Sequence, residues 1–187
     1  MNIVTRSFYA RDTVDVAQDL LGKILVRQIN DKTISGIIIE TEAYRYKDDT
    51  ASHSFRGLTD RNKAMFDQVG RAYVYFTYGM HYCVNAVARS PDYIAGAVLI
   101  RSLLPQHGID FMSKQRKTRD ISNLTSGPAK LTQALKITQK EYGVDLTKRT
   151  GLYVTDGIKV KGSEIKAGPR IGIKKATNKL WNFKIIL

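Results

Sequence analysis

Cysteine is almost missing from this sequence. Cys83 is the only one in 187 residues, which excludes an internal disulfide and fits a reducing, cytoplasmic setting. The three histidines are scattered, and with one cysteine they form no cluster of metal-ligand spacing, so no metal or cofactor is expected. Long hydrophobic runs are missing as well. The longest are strand-sized and charges interrupt anything longer, so no membrane span is expected. The opening stretch, MNIVTRSFYARDTV, lacks the apolar middle of an export signal. No internal repeat, low-complexity tract or linker breaks the chain, so residues 1–187 read as a single domain with a core of its own. Acidic residues are in short supply: 17 Asp+Glu stand against 30 Lys+Arg, a formal net charge of +13. A folded chain this basic usually meets a polyanion, either nucleic acid or an anionic surface. The plainer alternative is that the basicity only serves solubility. Ten tyrosines and six phenylalanines supply many flat faces.

The stretch that organises the rest is GIIIETEAYRYKDDTASH, residues 36–53. Ile37, Ile38 and Ile39 form a β-branched run after the Asn30-Asp31-Lys32 turn, which predicts a strand over 33–46. Side chains alternate along a strand, so Glu40, Glu42 and Tyr44 share one face while Ile39, Thr41 and Ala43 share the other. A carboxylate at the edge of an apolar core is costly unless it is paired or employed. The polar turn from Lys47 then brings His53 back towards them. The bland counterpart is a charged strand edge that deters aggregation, with a surface histidine beyond it.

Around that stretch, Asp12 or Thr13 predicts the cap of a short helix with Val14, Ala17, Leu20 and Leu21 on its apolar face and Gly22 at its end. Lys23–Gln28 reads as a strand that pairs with 33–46 in a hairpin. Thr59 reads as the cap of a helix over Ala64, Met65 and Phe66. Residues 71–88 read as a second hairpin with Gly79-Met80 as its turn. Tyr75 and Tyr78 differ by an odd number, so they should face opposite sides, one lining a pocket and the other projecting from the tip. The alternative is that these rings simply fill a core. Ala95–Leu104 is an apolar strand interrupted by Arg101, whose nearest carboxylate candidates are on the Glu40–Glu42 face. Pro105 predicts the first turn of a helix running to about Lys117. It ends in the basic run Lys114, Arg116, Lys117 and Arg119, either a solvated face or a phosphate contact. Ser126, Gly127 and Lys130 flank a helix start that suits an anion such as phosphate, with Ser126 as its cap. Further strands are predicted at 152–155, 158–160 (across an Asp156-Gly157 turn), 170–173 and 180–186. The fold class is therefore α+β: one mostly antiparallel, curved, open-barrel-like sheet with peripheral helices and a protruding β-hairpin.

Several ordered blocks resemble the alkyladenine (3-methylpurine) DNA glycosylase family. They are ETEAY at 40–44, SHSFRG at 52–57, Arg61-Asn62 with Met65-Phe66, YVYFTYGMHYCVN at 73–85, LIRSLLP at 99–105, SGPAKLTQAL at 126–135 and PRIGI at 169–173. The resemblance implies a base-excision-repair enzyme that flips a damaged purine from double-stranded DNA and hydrolyses its N-glycosidic bond. By position, Glu42 matches the base that activates water, while Arg101 and the main-chain carbonyl of Ile171 match that water's other partners. Tyr44, His53 and Tyr75 match the cage around the flipped base. Asn85 matches the residue that rejects the guanine amino group. Tyr78 matches the ring inserted into the minor groove, flanked by Met80 and His81. No lysine in these blocks offers an amine nucleophile, which implies a monofunctional enzyme without lyase activity. One departure stands out: Leu180-Trp181-Asn182-Phe183 replaces the Pro-x-Arg-Phe expected there, and 136–168 resembles nothing strongly.

Two rival readings use part of these features. A non-catalytic, minor-groove-kinking DNA binder would need the basic surface and Tyr78 but not Glu42 with Arg101. An RNA-processing hydrolase would use the same rings on single strands. The expected partner is duplex DNA carrying damaged purines, met by a monomer in the cytoplasm at the nucleoid.

Overall fold

The structure is a computed structural model and describes residues 1–186. Its long axis is strand β2 (Lys32–Arg45), among the described residues the only strand with three partners. Along one edge, the first half of β2 pairs with β1 (Ile24–Ile29) and residues 40–42 pair with β8 (Asn182–Ile185). Along the other edge runs β5 (Gly96–His107). Beyond β5 lie β4 (His81–Val87) and β3 (Ala72–Thr77), and beyond β1 lies β6 (Leu152–Thr155); β7 (Ile165–Gly168) pairs with β8. Every pairing is antiparallel. Register shifts at Ser35/Gly36, Ile38/Glu40 and Glu40/Thr41 are bulges of the kind that bend a strand and raise its twist. They help curl this sheet into a half-barrel.

Among the described residues there are four short α-helices, α1 (Arg6–Tyr9), α2 (Thr13–Asp19), α3 (Ile109–Arg116) and α4 (Pro128–Ala134), of which α2 packs on β2 and β5 and α4 on β4 and β5. Asp12 caps α2 by accepting from the Val14 amide at 2.8 Å. Val16, Ala17 and Leu20 are then fully buried against the sheet, whereas Val14 lies only at the margin. The main core joins these to Ile38, Val74, Val98, Ile100, Leu131 and Leu135; each such side chain contributes roughly 1.5–3 kcal/mol on burial. Thr41 turns its hydroxyl into this core and donates to Ala17 O at 2.6 Å. From Glu40 onward the alternation expected of β2 is kept, with Thr41 and Ala43 facing α2 and Glu40, Glu42 and Tyr44 facing the concave side; Ile39, expected beside Thr41 and Ala43, sits at a bulge and packs instead against Ile24, Val26, Ile37 and Tyr153.

Several sequence expectations are corrected. Pro105 begins no helix; β5 runs through it to His107, and α3 starts only after Gly108, whose φ of 75° turns the chain. A proline is tolerated there because it lies opposite Gly36 at a bulge. The segment after Thr59 forms only a 3₁₀ turn, Lys63–Phe66. Gly127 rather than Ser126 caps α4. Residues 158–160 form no strand: the Ile158 amide donates instead to Gly22 O at 2.9 Å, so the chain crosses to the end of α2 rather than doubling back. Residues 170–173 are a loop, and the last strand is shorter than expected. Among the described residues, no helix is long and apolar enough to cross a membrane.

Candidate active site

The concave face holds a cavity of about 220 Å³ lined by Tyr44, His53, Tyr73, Tyr75, Asn85 and Arg101, among others. Three elements supply its rings. Tyr44 comes from the end of β2, His53 from the loop that follows it, and Tyr73 and Tyr75 from alternate positions on β3. The His53 and Tyr75 rings meet edge to face with centroids 4.7 Å apart, and Tyr73 lies 5.3 Å from Tyr75. His53 Nδ1 is hydrogen-bonded to the Tyr73 hydroxyl at 2.9 Å. Buried Asn62 anchors the histidine loop by donating to His53 O at 2.8 Å and Gly57 O at 2.9 Å. Asn85, on β4, is fixed by donating to Tyr73 O at 2.8 Å. Removal from water, with the Arg61 cation nearby, holds the His53 imidazole below its usual value. Burial pushes the Tyr44, Tyr73 and Tyr75 hydroxyls far up, so all three stay protonated as donors.

Beneath the cage lies Glu42, fully buried. Tyr44 donates its hydroxyl to Glu42 Oε2 at 2.7 Å, and Arg101 approaches the same oxygen at 3.3 Å. The Ile171 amide donates to Oε1 at 2.7 Å and the Asn182 side chain at 3.0 Å. A carboxylate has about four acceptor positions, and four protein donors address this one. Arg101 also pairs with Glu40 at 3.0 Å through Nε. Burial alone would raise the Glu40 carboxyl, but the Asn182 hydrogen bond and the Arg101 and Lys184 charges outweigh it and hold it below its ordinary value.

The loop carrying Ile171 is clamped by its neighbour. Arg170 is buried with Asp49, donating to both carboxylate oxygens and to Ala43 O, and its guanidinium stacks 4.7 Å from the Tyr44 centroid. Tyr44 thus has a cation on one face. The Ile171 contact to Glu42 runs through its amide; the main-chain oxygen implied by resemblance is a separate group. Ile171 also lines the cavity.

At the cavity rim stands the β3–β4 hairpin. Its turn is centred on Tyr78 and Gly79, with φ of 52° and 68°, rather than on Gly79-Met80. The left-handed turn cancels the strand alternation, so Tyr78 projects with 84% of its surface exposed yet borders the cavity that Tyr75 lines. Met80 is exposed beside it and His81 is half-buried. Ser126, Gly127 and Lys130 gather at the start of α4 next to the cavity-lining Pro128. There the Lys130 ammonium is held by Asn123 and by Ser126 Oγ. Sequence reasoning missed Asn62, Asp49, Arg170, Tyr73 and Asn182 as site residues. Arg61-Asn62 and PRIGI carried a signal without a role, and Asn182 carried one only as a departure from pattern.

An aromatic cage over a buried carboxylate, on a strongly basic molecule, is the equipment of an enzyme that handles nucleobases. Comparison with known proteins narrows the class. The profile of the methylpurine-DNA glycosylase family matches residues 7–186. A protein of Carboxydothermus hydrogenoformans described as "Putative 3-methyladenine DNA glycosylase" is 48% identical over 97% of this chain and 94% of its own length. Proteins of the same description from Prosthecochloris aestuarii and Methanocella arvoryzae are each 46% identical, over 97% and 94% of this chain and 86% and 87% of their own. The chain belongs to the methylpurine-DNA glycosylase family and is a DNA glycosylase.

Proposed function

We propose that this glycosylase flips alkylated or deaminated purines of the 3-methyladenine, hypoxanthine and ethenoadenine class out of duplex DNA, and hydrolyses the N-glycosidic bond with a water activated by Glu42. The observation that carries this reading is the Glu42–Tyr44 hydrogen bond of 2.7 Å, which joins the candidate base directly to a ring of the cage. The names of the relatives support 3-methyladenine within this class.

A base inside a duplex is out of reach of chemistry, and extruding it costs a few kcal/mol, least when damage has weakened its pairing. Tyr78 inserted at the gap recovers part of that and slows the return. Stacking of the extruded base against Tyr44 and Tyr75 is worth about 1–3 kcal/mol. A cationic alkylated purine gains further from their electron-rich faces. Asn85, fixed to Tyr73, stands where a guanine amino group would collide. Met80 and His81 border the groove, and Ser126, Gly127 and Lys130 lie where a backbone phosphate would pass.

Loss of the base leaves an oxocarbenium-like sugar, which an ionised Glu42 stabilises while it holds the attacking water. The water must replace one of the four donors on that carboxylate. Arg101 Nη1 makes the longest of these contacts, at 3.3 Å, and keeps Glu40 through Nε when it yields. Arg101 and the Ile171 carbonyl then orient the water. No lysine lines the cavity among the described residues, which supports a monofunctional reaction ending at an abasic site. The enzyme acts as a monomer on DNA at the nucleoid.

The test is excision from duplex oligonucleotides bearing one hypoxanthine, ethenoadenine or 3-methyladenine, with alkali to reveal abasic sites. Strand breaks should need alkali. Glu42→Gln should lower excision by about 10²–10⁴-fold, the usual worth of a positioned general base, while lesion binding persists. Breaks without alkali contradict monofunctional chemistry, and wild-type turnover in Glu42→Gln removes that residue from the mechanism. Tyr78→Ala should weaken lesion-duplex binding by roughly 5- to 100-fold, the loss of one stacking contact; unchanged binding would remove the wedge.

A further inference from the structure

Asn182 touches both carboxylates at the cavity floor. Its side-chain nitrogen donates to Glu40 Oε1 at 2.9 Å and to Glu42 Oε1 at 3.0 Å. Arg101 also bridges the pair, through Nε to Glu40 and Nη1 to Glu42. Two anions and two bridging donors thus close a ring, with Lys184 added at 3.2 Å from Glu40. Like charges at this spacing repel strongly away from water, and one normally takes up a proton unless donors stand between them. Asn182 is buried and comes from β8, which meets β2 only at residues 40–42, so its place in the ring is set by sheet register.

Resting on the glycosylase reading above, we propose that Asn182 and Glu40 are positioning residues for the Glu42–Arg101 pair. Glu40 anchors the guanidinium through Nε so that Nη1 points at Glu42, and Asn182 screens the two carboxylates from each other so that both stay ionised as base chemistry begins. The other groups facing Glu42 are the Tyr44 hydroxyl and Ile171 amide, with Cys83 and Tyr75 across the cavity and Arg170 behind Tyr44. Arg170 is neutralised by Asp49.

The experiment compares wild type, Asn182→Leu, Glu40→Gln and the double variant. Single-turnover excision of hypoxanthine is followed from pH 5 to 9, and the carboxyl groups of the free proteins are titrated by NMR. Asn182→Leu should move the acid limb of the rate profile, and the carboxylate titration with it, upward by about one pH unit or more, the scale of a lost charge partner. Glu40→Gln in the same chain should return both at least halfway, because the repulsion is gone. Should leucine unfold the protein, Asn182→Ala reads the same shift. Unmoved midpoints, or a double variant no better than the single one, would overturn the brace. A titration that shifts in a protein that excises no hypoxanthine would uphold the brace and refute the substrate and Glu42 mechanism proposed above.

Discussion

Two arginines are buried against carboxylates near Tyr44, and their surroundings differ. Arg170 and Asp49 are wholly enclosed, one cation to one anion, with both carboxylate oxygens engaged and Ala43 O as a further acceptor. Arg101 faces two anions, keeps a tenth of its side chain exposed toward the cavity, and holds Glu42 at 3.3 Å rather than in a close fork. The first arrangement is sealed from solvent, with Arg170 Nε buried and without a partner. The second is looser: one guanidinium is shared between two carboxylates, and Lys184 also reaches Glu40. Sequence type alone does not separate them; the number of carboxylates each guanidinium contacts does.

That comparison breaks if the two arginines respond alike. Arg170→Met leaves Asp49 buried without its partner, and such losses cost about 3–5 kcal/mol. Denaturant unfolding should show that drop, with excision falling only as the folded fraction and the Ile171 loop are disturbed. Arg101→Met should lower excision by about 10²-fold or more, the order seen when a transition-state donor is removed, with a smaller stability loss than Arg170→Met. An Arg170→Met protein as stable as wild type, or an Arg101→Met protein that excises normally, would erase the distinction.

Much of the Arg101 side was legible in the sequence. Period-two alternation puts Glu40, Glu42 and Tyr44 on one face, and the alternation holds because the bulges of β2 end at Thr41. An arginine inside an apolar run then asks for a carboxylate, and the neighbouring strand supplies it. The Arg170 side was not legible, because residues 169–173 form a loop and no periodicity says that its arginine turns inward onto Asp49. Asn182 was hidden for a similar reason: its role depends on the β8–β2 register, a long-range pairing that short, isolated strands do not announce. The hairpin turn misled in another way. Tyrosine is a poor residue for φ > 0, yet Tyr78 takes a φ of 52°, and the turn is centred on Tyr78-Gly79 rather than Gly79-Met80. Pro105 as a helix start was the reverse error, a local preference overridden by pairing with β2.

The smallest expected effect sharpens the comparison at its solvent edge. Lys184 is the second cation of the Arg101 cluster, 3.2 Å from Glu40, with nearly half of its side chain in water. Exposed pairs contribute about 0–1 kcal/mol, so Lys184→Met should leave stability at pH 7 within roughly that range. Its signature is in the pH dependence. Glu40 is held below its ordinary value in the folded protein, so its contribution is fully present above the unfolded carboxylate value and is lost as pH falls through the lower, folded one. Removing Lys184 raises the folded value toward the unfolded one, so less stability remains to lose on acidification. Unfolding curves at pH 7 and pH 3 should therefore differ less in Lys184→Met than in wild type, whereas Arg170→Met should be destabilised well beyond that range at pH 7. If Lys184→Met matched Arg170→Met in stability loss at pH 7, exposure would not be what separates the strong pair from the weak one.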